Sequence, residues 1–84
     1  MANTYGYEAG TAAGTVDVPA AAQLKRVSVV AGVSVAATVV IAGGDTITIP
    51  AGMAFDDQIE GDVPRGADVV VGGTVQSFYV SWMT

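Results

Sequence analysis

Val33-Ser34-Val35-Ala36-Ala37-Thr38-Val39-Val40-Ile41-Ala42-Gly43-Gly44-Asp45-Thr46-Ile47-Thr48-Ile49 is the stretch that decides the fold class. Apolar and small polar side chains alternate along it, so Val33, Val35, Ala37, Val39 and Ile41 share one face of an extended chain. Ser34, Ala36, Thr38 and Val40 share the other. The glycine pair predicts a reversal into Thr46–Ile49. A two-residue loop at Gly43-Gly44 would set Ile41 opposite Thr46. A three-residue loop, Gly43-Gly44-Asp45, sets Ile41 opposite Ile47 and Val39 opposite Ile49, and keeps one face apolar. Cross-strand neighbours must share a face, so the second register is expected.

The same grammar extends in both directions. Valine occurs 15 times and leucine once, at Leu24, and stiff β-branched side chains suit a pleated surface better than a helix. Leu24–Val30 predicts a strand ended by Gly32. Ile49-Pro50-Ala51-Gly52 and Val63-Pro64-Arg65-Gly66 place proline and glycine where a type I turn prefers them, and both are expected as corners. Ala67–Val71 is expected to turn at Gly72-Gly73 into Thr74–Trp82 as a final hairpin. In that last strand Phe78, Val80 and Trp82 face one way and Val75, Ser77, Tyr79 and Ser81 the other, which predicts a central position in a sheet. The expected fold is an all-β antiparallel sandwich or small barrel of about six strands.

Residues 1–22 differ in style. They are rich in Ala, Gly and Thr, with Tyr5 and Tyr7 as bulky groups, and Val16 and Val18 as a short edge strand before Pro19. They are expected to form an extended arm that reaches a neighbouring subunit, beside a β domain over residues 23–84, and residues 1–18 are expected to be removable without unfolding the core. Ala20–Leu24 could add one helical turn.

Composition narrows the function. With 84 residues, no cysteine and no histidine, the chain lacks disulfides, thiolate metal sites and the usual general base. A domain this small is often supported by self-association. Charged residues make up only 13% of the chain against 51% hydrophobic ones, which favours a subunit of an assembly. The net charge is −5 and Lys25, Arg26 and Arg65 are the only cations, so nucleic-acid phosphates and anionic membranes are poor partners. The apolar run Val27–Ala42 is broken by Gly32, Ser34 and Thr38 and is too short to span a membrane as a helix. The first residues carry no signal-peptide pattern.

No catalytic constellation emerges. The Gly-Gly pairs are not followed by the lysine of a phosphate loop. Asp56, Asp57, Glu60 and Asp62 could offer oxygen ligands to calcium, but their spacing matches no calcium loop, and a solvated acidic segment accounts for them. No enzymatic activity, cofactor or metal is expected. Lys25 and Arg26 would point to opposite faces of their strand, as edge protection or as a contact for an acidic partner. Tyr79 and Trp82 could form a sugar-stacking platform, although their apolar neighbours favour a core or a subunit interface.

Two segments carry a family likeness: Asp45-Thr46-Ile47-Thr48-Ile49-Pro50-Ala51-Gly52, and the ending Thr74-Val75-Gln76-Ser77-Phe78-Tyr79-Val80-Ser81-Trp82. In size, style and turn pattern, residues 24–84 resemble the small virion proteins of tailed bacteriophages, most of all capsid decoration (cement) proteins. The resemblance implies a virion location, a homo-oligomer with a trimer favoured, and the major capsid protein or another virion protein as partner. The candidate interface residues are Tyr5, Tyr7, Val16 and Val18 in the arm, Lys25 and Arg26, and Phe78, Tyr79, Val80 and Trp82. The alternative is a carbohydrate-binding or adhesive β module.

Overall fold

The computed structural model describes residues 5–59 and 63–84. Eight strands follow one another: β1 Tyr5–Gly10, β2 Gly14–Val16, β3 Gln23–Ala31, β4 Ala37–Ile41, β5 Ile47–Ile49, β6 Ala54–Gln58, β7 Val69–Gly73 and β8 Val75–Met83. They form two four-stranded antiparallel sheets, in the orders β1-β8-β3-β6 and β2-β7-β4-β5. The expected all-β class stands, as a sandwich, with eight strands where about six were expected.

The two extra strands come from the N-terminal segment. β1 pairs with β8 of its own chain from Tyr5↔Met83 to Gly10↔Phe78, and β2 pairs with β7. Val16, Val18 and Ala22 lie in the core. Residues 5–10 and 14–16 are therefore strands of the two sheets, and this segment is integrated into the sandwich and not a detachable arm. Low side-chain bulk there reads like a linker in sequence, yet a strand packed beneath aromatic rings needs little bulk of its own. The Ala20–Leu24 segment makes one reverse turn, Ala22 N–H donating to Pro19 O at 2.8 Å, and Leu24 is already in β3.

Only β4 and β5 form a hairpin; every other connection between successive described strands passes from one sheet to the other. Their register is Ala37↔Ile49, Thr38↔Thr48 and Val39↔Ile47, two residues away from the expected one. Alternation fixes only the face, and a shift of two preserves it. The turn and the residues after it supply the difference. Gly44 N–H donates to Ile41 O at 3.0 Å, with φ of 55° at Ala42 and 69° at Gly43. That is a tight primed turn centred on Ala42-Gly43; alone it would set Val39 opposite Thr46, so the observed Val39↔Ile47 takes in one extra residue between Gly44 and Thr46.

Residues 33–36 are not strand. They form bends after Gly32, and Val33 and Val35 are exposed at 79% and 51%. The loop is pinned by Gly32 N–H to Thr74 O at 2.8 Å and by Gly52 N–H to Gly32 O at 2.7 Å. The proline corners also lie one residue later than expected. Met53 N–H donates to Pro50 O at 3.0 Å and Gly52 has φ 75°, so Ala51-Gly52 is the centre of a type II turn. Arg65-Gly66 turns similarly, with φ 71° at Gly66.

The expected final hairpin is a corner between sheets. β7 belongs to one sheet and β8 to the other, with Thr74 between them. Gly73 makes the corner possible: its φ is 73°, and a Cβ there would lie 2.6 Å from Ala36 O. Only glycine lets the backbone pass so close with that twist.

Between the sheets lies a valine-rich core: Val16, Leu24, Val27, Val29, Val39, Val69, Val71 and Val80 are fully buried. Phe78 joins them from β8. No polar or charged side chain is buried among the described residues. Burial of each such aliphatic side chain contributes about 1.5–3 kcal/mol. β3 and β8 are the central strands of their sheet, as the alternation in β8 predicted.

Candidate functional site

Inward placement of Phe78, Val80 and Trp82 sends Ser77, Tyr79, Ser81 and Met83 to the outside of the first sheet. Register then places the neighbours. Tyr5 lies opposite Met83, Tyr7 opposite Ser81 and Ala9 opposite Tyr79, so both tyrosines of β1 share the outer face. Tyr5, Tyr7 and Tyr79 are exposed at 75%, 67% and 40%. The rings of Tyr7 and Tyr79 stack with centroids 5.6 Å apart and planes at 21°. The diagonal between neighbouring strands is the distance at which aromatic side chains meet.

Arg26 and Asp56 continue the same face across β3 and β6. Arg26 Nε donates to Asp56 Oδ1 at 2.9 Å and Nη2 to Oδ2 at 2.6 Å. This two-pronged pair holds the Asp56 carboxyl below its ordinary range and raises the Arg26 guanidinium. Both side chains are about half exposed, at 47% and 48%, so solvent weakens the pair's contribution to stability. Its geometric effect is to fix the direction of the guanidinium plane.

A β-bulge changes the position of Lys25. β3 pairs with β8 as Leu24↔Trp82 and then Arg26↔Ser81, leaving Lys25 without a partner on that side. On the other side Ile59 N–H donates to Lys25 O at 2.7 Å. Strict alternation predicted opposite faces for Lys25 and Arg26. Instead both line one recess of about 390 Å³, together with Tyr5, Gln58, Ile59 and Met83. Re-aiming a side chain in this way is a characteristic result of an extra residue in a strand.

Other expected interface residues lie elsewhere. Val16, Val18, Phe78 and Val80 are buried in the core, and Trp82 is partly buried against it. They are unavailable as a docking surface because they face the core between the two sheets. Tyr79 and Trp82 do not form a joint platform, since they point to opposite sides of β8. Asp56 is committed to Arg26, Asp57 lies on the other face of β6, and Glu60 and Asp62 lie outside the described residues. Among the described residues, no group of three or more His, Cys, Asp or Glu side chains is placed to hold a metal. Met83, Gln58 and Ile59 were not singled out in the sequence. Met83 could have been found by carrying the Tyr79–Ser81 alternation one step further.

The sheet edges are guarded. Glu8 lies opposite Val80 and Asp57 opposite Val27, on the inner side of the two edge strands of the first sheet, and both remain exposed. The edges of the second sheet, β2 and β5, are three residues each. Inward charges and short edges both oppose edge-to-edge pairing. Comparison with protein-family models, with curated proteins and with solved structures finds no match for this chain.

Proposed function

We propose that this chain is a non-enzymatic structural protein of a virion, a capsid decoration subunit that assembles as a closed oligomer, with three copies favoured. The observation that carries the docking part is the stacked and exposed Tyr7–Tyr79 pair on the outer face of the first sheet. Large, stiff aromatic side chains contribute contact area at small entropic cost and dominate many interfaces. With the edges guarded, a face is the surface available for association. The virion location and the trimer rest on the family resemblance of residues 24–84, to which the glycine corners and low charge add support.

The location is tested in particles purified from the phage that encodes the chain. Quantitative mass spectrometry should find it at a fixed ratio to the major capsid protein. The Tyr7→Ser/Tyr79→Ser variant should be depleted from particles while staying folded in the lysate. Recovery of the wild-type chain only in the soluble fraction would overturn the reading.

A further inference from the structure

We infer that the recess at the bulge of β3 is a binding site for a small ring-shaped ligand bearing one carboxylate, of the class of a hexuronic acid. It lies on the same outer face as the Tyr7–Tyr79 pair, beyond Tyr5 and Met83, and neither ring of that pair lines it. The chain has eight acidic residues and three basic ones, yet two of the three basic side chains line this single recess. A bulge in the ladder puts Lys25 there, and the Asp56 carboxylate holds Arg26 by Nε and Nη2, leaving Nη1 outside the pair.

The remaining lining completes the chemistry. Tyr5 offers an exposed ring for the C–H face of a pyranose. Met83 and Ile59 supply apolar contact, and the Gln58 amide can both donate to and accept from hydroxyl groups. A volume of about 390 Å³ lies in the range of small-molecule sites and admits one sugar ring. Lys25 is the group that would take the carboxylate as a charge-assisted partner. Arg26 would add a second donor without turning. With Arg26 held by Asp56, Lys25 is the cation that an anionic group of the ligand would meet, so charge is what the site selects.

The probe is D-glucuronate, titrated into isotopically labelled protein and followed by amide chemical shifts. D-glucose and glucose 6-phosphate serve as comparisons. The expected result is saturable shifts centred on residues 5, 25, 26, 58, 59 and 83 with glucuronate, and none with glucose at equal concentration. Lys25→Gln should weaken glucuronate about tenfold, the effect of losing one charge-assisted hydrogen bond, and Arg65→Gln should leave it unchanged. Repeating the titration on Tyr7→Ser/Tyr79→Ser separates this claim from the docking reading, because the recess should still bind. Equal shifts with glucose, tighter binding of the phosphate than of glucuronate, or glucuronate binding untouched by Lys25→Gln would each overturn the assignment.

Discussion

The indole of Trp82 lies over Gly6 of the neighbouring strand, where an added Cβ would collide with Nε1 and Cε2 of the ring. Four residues on, Gly10 repeats the arrangement with Phe78, whose Cε2 would be 2.7 Å from such a Cβ. β1 is thus held by rings from β8 that cover its glycines, an aromatic rescue of residues otherwise poor in strands.

Gly6→Ala should therefore destabilise the domain, where an ordinary strand Gly→Ala change would stabilise it. The overpacking penalty is about 1–3 kcal/mol, or roughly 4–8 °C in melting temperature per kcal/mol for a domain of this size. Urea unfolding followed by tryptophan fluorescence would show both the lower midpoint and a changed native emission from Trp82. Gly10→Ala should lower the midpoint with the native emission unchanged.

At Ala42 the opposite sign is expected. Its φ of 55° is a left-handed conformation that costs an L-residue about 1–2 kcal/mol. Ala42→Gly removes that strain at some cost in unfolded-state entropy, so a net gain of about 0.5–1 kcal/mol is predicted. Thermal unfolding would check it, and a lower melting temperature would contradict the turn geometry.

Leu24 is fully buried at the start of β3, next to the bulge. Leu24→Ala should cost about 2–5 kcal/mol by lost burial and the cavity left behind. In a domain this small that is a large share of total stability. Denaturant titration should show either a much lower midpoint or an unfolded chain.

The Arg26–Asp56 pair predicts a pH dependence. Asp56 is depressed in the folded state by its hydrogen bond to Arg26, so its contribution is present above the unfolded carboxylate value of about 3.9. It is lost as pH falls through the folded value. Arg26 is raised and stays charged throughout this window. The stability difference between wild type and Asp56→Asn should be level at neutral pH and vanish in acid. Chemical denaturation at a series of pH values measures it, and a gap that widens in acid would contradict the pairing.

Much of this fold was legible because alternation reports which face a residue takes. Phe78, Val80, Tyr79 and the apolar side of β4 and β5 were placed correctly on that ground. Alternation reports register only modulo two, and the Ala42-Gly43 turn with the extra residue after it sets the rest through dihedral angles that composition conceals. Nor does it report which sheet a strand joins: Gly72-Gly73 reads as a hairpin, while the close approach of Gly73 to Ala36 makes a corner. The site was half legible. Tyr5, Tyr7, Lys25 and Arg26 stood out by type, but the bulge that gathers Lys25 with Arg26 breaks the periodicity by which faces are assigned. The short edge strand at Val16 is legible, but its inward face is not: β2 pairs with β7 of its own chain, so Val16 and Val18 fill the core and not an interface.

Absolute mass by size-exclusion chromatography with light scattering tests the central claim most directly. The account predicts a wild-type particle near three times the 8.4 kDa chain, and a folded monomer for Tyr7→Ser/Tyr79→Ser. A wild-type monomer at high protein concentration, or an oligomer unmoved by removing both rings, would contradict it.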